Sequence, residues 1–268
     1  MSEITQSRLG ARQDSRARLA ALHRYPLKGL SPEAMSEAHL TEGEHFPGDR
    51  LMAIENGPSG FDPAAPEHLP KQKFLMLMRN EKLARIAARF EDATRRLTLS
   101  QGGGVVASGV VDEETGRAAI ERFFESYMGD EMRGPARLLV APPGHRFMDS
   151  LHGFLSIINR ASVEAIAKLA NRASIDPLRF RGNLLVEGLA PWAEFDLVGQ
   201  RVKIGEAELE ITRRIDRCAA IDVDPKAGLR DTRLVALLEQ NLAHHDCGVY
   251  ARILRSGLIR PGDPLTVP

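Results

Sequence analysis

Polar and apolar residues alternate along Glu208-Leu-Glu-Ile-Thr212, the pattern of a strand with one buried face, and Val202–Ile204 precedes it across Gly205-Glu-Ala207. The two segments predict a hairpin. Further strands are predicted at 20–25, where Pro26 ends the run, and at 51–55, 73–79, 97–100, 105–111, 184–186, 248–254 and 265–267. Gly102-Gly-Gly104 supplies a turn between two of these, and Pro261-Gly-Asp-Pro264 another. The period changes over 113–128, where Ala118, Ile120, Phe123, Phe124 and Tyr127 recur at helical spacing, with Asp112 placed to cap. Val163, Ile166, Ala167 and Leu169 predict a second helix over 162–170, with Ser162 as its N-cap, and 234–242 a third. Segment 81–90 suits a helix or a strand equally, and 190–193 a turn or short helix.

Many short strands with interspersed helices predict an α+β, β-rich fold: barrels decorated by peripheral helices. The proline- and glycine-rich stretch 141–144 marks a boundary. We divide the chain into a helical or poorly ordered leader (1–17), a β-barrel-like N-terminal domain (18–142) and a second β-barrel domain (143–268). No internal repeat is present.

Composition narrows the partners. The 268 residues carry 36 basic and 36 acidic side chains, so no net field recruits nucleic acid or an acidic membrane. Two cysteines exclude a disulfide framework, and no zinc-type spacing occurs. The polar, arginine-rich start does not read as a secretory signal, and no apolar run reaches the ~18 residues of a membrane span. A cytoplasmic location is the expectation. His244-His-Asp246 beside Cys247 invites a metal assignment, but consecutive side chains point apart, so we read a loop with solvated histidines.

Cys218 is the residue with the most chemistry. It follows Arg217, with Arg213 and Arg214 nearby, and neighbouring cations favour the thiolate that a nucleophile or metal ligand requires. Taken locally, it reads better as a small apolar residue at a strand end.

Seven collinear strings change that balance: Leu22-His-Arg-Tyr-Pro-Leu-Lys-Gly29, Gly48-Asp-Arg50, Arg179-Phe-Arg-Gly-Asn-Leu-Leu-Val186, Asp216-Arg-Cys218, Val223-Asp-Pro225, Gly248-Val-Tyr250 and Gly262-Asp-Pro-Leu265. In this order they resemble the MOSC proteins, named for the C-terminal domain of molybdenum cofactor sulfurase. The architecture most resembles the mitochondrial amidoxime-reducing component and its bacterial relatives.

The resemblance implies a molybdenum–molybdopterin cofactor, with Cys218 as metal ligand and catalytic residue. It implies cofactor contacts from Lys28, Arg50, Arg181, Asn183, Arg217 and Tyr250, and from Ser162 at the start of a helix beside the pterin. Soft thiolate suits such a metal, and ammonium and guanidinium groups suit its phosphate. The family at large is also associated with pyridoxal phosphate. Gly29 stands where the family commonly has serine, Gly182 where it has proline, and Asp216 replaces another proline.

The implied activity is reduction of N-hydroxylated or related N- or S-oxygenated small molecules. The given sequence holds no iron–sulfur cysteine set, and the expectation is that electrons come from a separate ferredoxin, flavoprotein or cytochrome. A persulfide carrier acting through Cys218, or a non-catalytic cofactor-binding module, uses the same residues.

Overall fold

The structure, a computed structural model, describes residues 17–151 and 154–268. The predicted leader falls outside the described residues except for Ala17. Described elements are, in chain order, β1 (Arg18–Arg24), β2 (Glu33–Met35), β3 (Ala38–Leu40), β4 (Met52–Asn56), β5 (Ala87–Glu91), β6 (Arg96–Gln101), β7 (Gly104–Val110), α1 (Glu114–Met128) and β8 (Ala136–Val140). There follow β9 (Leu155–Asn159), α2 (Arg160–Leu169), β10 (Leu184–Glu187), β11 (Arg201–Ile204), β12 (Ala207–Asp216), α3 (Leu234–Leu242), β13 (Asp246–Arg255), β14 (Gly257–Ile259) and β15 (Leu265–Thr266).

Eight strands form one sheet in the order β15-β11-β12-β13-β9-β10-β1-β2. All pairs are antiparallel except β9 with β10, which are parallel and connected through α2. The sheet curls back on itself. Leu19 N donates to Asp263 O at 2.9 Å, Gly262 N to Leu19 O at 2.7 Å and Leu265 N to Ala17 O at 2.8 Å, so the β15 end meets β1. The alternation read at 208–212 turns Leu209 and Ile211 inward, where they meet Leu19, Leu22, Ile157, Val186, Val202 and Ile253.

The remaining strands make the β3–β14 and β4–β8 pairs and the β5-β6-β7 meander; single bridges such as Leu27↔Met52 and Ser31↔Ala87 link the last two to their surroundings. Helix α1 lays Ile120, Phe124 and Met128 on them, closing a core with Leu27, Ile54, Phe90, Leu97 and Leu138. Each such side chain contributes roughly 2 kcal/mol of transfer free energy.

The sheets cross the boundary expected at 142/143. β1 and β2 precede it in sequence yet complete the barrel of the second half, while Val223 packs into the core of the first. Arg24, buried at the end of β1, pairs with Glu33 at 2.8 Å and Asp92 at 2.6 Å, tying β2 and the β5–β6 turn to the barrel.

Three local expectations are corrected. Segment 73–79 is not a strand: only Phe74 bridges to Glu55, after which Asn80 Oδ1 accepts from Met76 N at 3.2 Å and folds the chain into a turn. Helix α2 is capped by Asn159, whose side chain accepts from Ala161 N at 3.1 Å, and Ser162 lies inside the helix. Asp112 does not cap α1, because its carboxylate is held by Arg95 Nε at 2.9 Å. The undecided segment 81–90 divides into a one-turn helix, Glu81–Arg85, and strand β5.

Candidate functional site

A cavity opens where the end of β1, the Met76–Met78 turn, the 148–150 segment, β13 and the chain leaving β12 converge. Lys28, Arg50, Arg181, Arg217, Cys218 and Tyr250 all line it. Residues separated by up to 222 positions in sequence thus face one space.

Its cationic wall is built on Tyr25. The Arg50 and Arg181 guanidiniums lie over the same Tyr25 ring, at 4.4 and 4.3 Å from its centre. Both arginines adopt the left-handed backbone region, φ +46° and +52°, which non-glycine residues enter only at a cost. Arg50 is held by its N–H on Tyr25 O at 2.8 Å, and Arg181 by its N–H on Leu178 O at 3.1 Å after the turn Pro177–Phe180. Arg181 Nη1 also donates to Leu30 O at 2.8 Å.

Burial, then the proximity of Arg50, pushes the Arg181 guanidinium down to about 10. Burial likewise lowers Lys28, with Asp149 opposing the shift. Beneath them Asp49 is buried, pairs with Arg50 and accepts from Tyr25 N at 2.7 Å. Two cations weakened by burial and proximity mark a cluster whose charge is incompletely compensated within the protein.

Cys218 stands at another side of the cavity, half-buried, leading into the one-turn helix Ala219–Asp222. The cations that seemed to activate it in the sequence are engaged elsewhere. Arg217 donates through Nε to Cys247 O at 2.7 Å and through Nη1 to Phe180 O at 2.8 Å, acting as a strut. Arg214 lies over the Phe195 ring at 4.3 Å, and Arg213 is exposed on β12. Lys28, Arg50, Lys71 and Arg181, distant in sequence, line the same cavity as Cys218. Cys247 is fully buried, and burial pushes its thiol up to about 12.

Two expected cofactor contacts lie behind the wall. Asn183 spends its amide on the barrel: Oδ1 accepts from Ser156 N at 3.0 Å and Ser156 Oγ at 2.9 Å, and Nδ2 donates to His23 O at 3.2 Å. It positions Ser156, which does line the cavity. Ser162 donates to Glu194 Oε2 and accepts from Trp192 N, each at 2.8 Å, on the side of the barrel where α2 packs. Glu194 is buried, and burial raises its carboxyl. His244 and His245 are half-buried rather than solvated: His244 packs edge-on against Trp192 and Phe195, and His245 meets Glu239 at 3.2 Å.

The glycine departures have local causes. Gly29 has φ +88°, and a Cβ there would sit 3.1 Å from Leu83 Cδ1, so a serine would be strained. At Gly182 a Cβ would fall 2.3 Å from Ile158 Cγ1.

The sequence did not single out Asp149, Tyr25, Met148 or Arg230. Tyr25 lies within one of the quoted strings, and its aromatic character before Pro26 was the available signal. Met76, Met78 and Met148 line the cavity with Cys218, giving it a polarisable, adaptable surface. Arg230 clamps two of its margins together, donating to Ala219 O at 2.8 Å and to Met78 O, with Glu81 at 3.0 Å.

The donor set suits a phosphate-bearing, soft-metal cofactor: guanidinium and ammonium groups for a phosphate, a half-buried thiol for the metal. The buried Tyr25 hydroxyl, which has no hydrogen-bond partner among the described residues, is a polar atom left over beside that wall. The residues present fit such a group.

The fold is α+β and strand-rich, a curled half-barrel sheet with peripheral helices beside a cationic, cysteine-bearing cavity. Residues 144–266 match the MOSC domain family, and the chain carries a MOSC domain. Molybdenum cofactor sulfurase from Caenorhabditis elegans is 34% identical over 99 residues, covering 36% of this chain and 14% of that protein. Its Caenorhabditis briggsae counterpart is 35% identical over 99 residues, with the same coverage. The chain thus spans about a seventh of the length of these relatives. Among solved structures, the YuaD protein from Bacillus subtilis aligns with a TM-score of 0.46 and 13% identity, over 93% of both chains. YiiM from Geobacillus stearothermophilus aligns with a TM-score of 0.36 and 19% identity, over 49% of this chain and 67% of that one. No described helix is long and apolar enough to cross a membrane.

Proposed function

We propose that this protein is a molybdenum-cofactor-binding oxidoreductase that reduces N-hydroxylated or related N- or S-oxygenated small molecules. The observation carrying this reading is the convergence of Cys218 with Lys28, Arg50 and Arg181 on one cavity. In this reading Lys28, Arg50 and Arg181 hold the cofactor's phosphate by charge-assisted hydrogen bonds. Tyr250 and Ser156 line the space beside it, and Cys218 serves as the thiolate ligand. When bound, the cofactor supplies two-electron oxygen-transfer chemistry, while the protein orients it and limits access of water. The Met76, Met78 and Met148 surface receives the body of the substrate. A separate ferredoxin, flavoprotein or cytochrome delivers the electrons.

The sulfurase relatives favour a second reading, in which Cys218 carries a sulfane sulfur for transfer to a metal cofactor. Metal and pterin analysis of protein purified from a host that makes molybdenum cofactor tests the first reading. Cyanide-releasable sulfur on a metal-free, pterin-free protein would replace it with the second.

A further inference from the structure

We propose that Asp149 is an internal occupant of the cation cluster, a counterion that an anionic ligand must displace from Lys28. The inference rests on reading the cavity as an anion site.

Lys28 Nζ donates to Phe147 O at 2.9 Å and to the Asp149 carboxylate. Both acceptors belong to one irregular segment. It is anchored at Phe147, whose N–H donates to Arg50 O at 3.0 Å and whose ring packs with Phe61, Phe74 and His145. Two residues beyond that anchor, the Asp149 side chain is 52% exposed, whereas Lys28 is 8% exposed. Of this ion pair the acid is the partner that already reaches water.

The other carboxylate of the cluster differs. Asp49 is 1% exposed and is fixed by the Tyr25 N–H as well as by Arg50. It belongs to the frame. While Asp149 is in place Lys28 and Arg50 each have a carboxylate partner, Asp149 and Asp49, whereas Arg181 has a carbonyl acceptor on Leu30 and the Tyr25 ring. With Asp149 swung out, two positive charges stay uncompensated, which matches a dianionic phosphate group. The carboxylate keeps Lys28 paired until such a group arrives, and the cost of parting them weakens every anion alike.

That last property gives the test. Inorganic phosphate at about pH 8, where its second ionisation is largely complete, and methanesulfonate, a monoanion of similar shape, are titrated calorimetrically into the wild type, Asp149→Asn and Asp149→Ser. Thermal unfolding verifies that each is folded. A competitor that is removed tightens both anions by the same factor, expected here to be about tenfold for one ion pair in a partly screened site. A charge that merely repels acts on a dianion twice as strongly in free energy, so the phosphate factor would be the square of the methanesulfonate factor, and displacement would be overturned. Unchanged affinity in both variants would overturn it as well. Failure of phosphate to bind the wild type and both variants would remove the anion-site reading along with it, whereas binding that is equal in all three would remove the displacement alone.

Discussion

Arg50 Nη2 donates to the carbonyl oxygen of Arg181 at 3.1 Å, joining two residues 131 positions apart in sequence. Each also lays its guanidinium on Tyr25. Like charges are therefore held together by a backbone acceptor and a shared aromatic face rather than by acids of their own number. Such a pair is poor for stability and well suited to an anion.

Arg181→Met should accordingly leave the ligand-free protein within about 1 kcal/mol of wild type, because removing a cation from a crowded cationic site offsets its lost contacts. The same variant should lose phosphate binding. Arg179→Met is the contrast. Arg179 is buried and paired with Asp224 at 3.0 Å and Asp231 at 2.8 Å, so its loss should cost about 3 kcal/mol. Thermal and urea unfolding with and without phosphate measure both. Equal destabilisation would mean that Arg181 is a structural ion like Arg179.

The two thiols should behave differently. Cys218 lines the cavity, whereas Cys247 is sealed in the core with its thiol raised to about 12. Native protein should react with one equivalent of a thiol reagent, and the Cys218→Ser variant with almost none. Cys247→Ser should cost about 1 kcal/mol by placing a hydroxyl in an apolar core, with activity retained, while Cys218→Ser should abolish activity. Peptide mapping of the labelled thiol, with unfolding curves and turnover for each variant, decides it.

Glu194 offers a pH test. Its buried carboxyl accepts from Asn159 at 2.9 Å and Ser162 at 2.8 Å through one oxygen, and burial raises its pKa above the ordinary glutamate value of 4.5. A carboxyl raised on folding stabilises the fold below its unfolded pKa. That contribution declines as pH rises through 4.5 towards the folded value. Glu194→Gln removes the ionisation, so the stability of the variant relative to wild type should increase over that window and then level off. A difference independent of pH would show that Glu194 does not titrate on folding.

Much of the barrel was legible because its strands are half-buried. The alternation at 208–212 and the apolar run at 248–254 report the two faces of β12 and β13 directly. Segment 73–79 misled because four consecutive buried residues, Phe74 to Leu77, satisfy a strand pattern while Asn80 turns the backbone. At the site, Cys218, Lys28, Arg50 and Arg181 could be nominated from their types and strings. Asn183 and Ser162 could not be placed, because a buried amide or hydroxyl looks the same in sequence whether it serves a ligand or its own scaffold. Asp149 was invisible for the opposite reason: its partner Lys28 is 121 residues away, and no local pattern joins them.

Arg230 should matter without touching a ligand. By bridging Ala219 O and Met78 O it fixes the distance between the turn after Cys218 and the methionine surface. Arg230→Ala should raise KM for an N-hydroxylated amidine several-fold more than it lowers kcat, and Arg230→Lys should restore only part of the loss, since an ammonium lacks the planar fork. Steady-state kinetics with a chemical reductant separate the two parameters. An effect confined to kcat would place Arg230 in a different role.

The most direct test of the account is the molybdenum and pterin content of wild-type protein and of Arg181→Glu, purified from a host that makes molybdenum cofactor. The wild type should carry about one molybdenum per chain, with the fluorescent oxidation product of its pterin. Arg181→Glu should lose both while its unfolding curve stays close to that of the wild type, because a carboxylate facing a phosphate turns attraction into repulsion. A wild type devoid of molybdenum and pterin, or an Arg181→Glu variant that retains them in full, would contradict the assignment of this cavity.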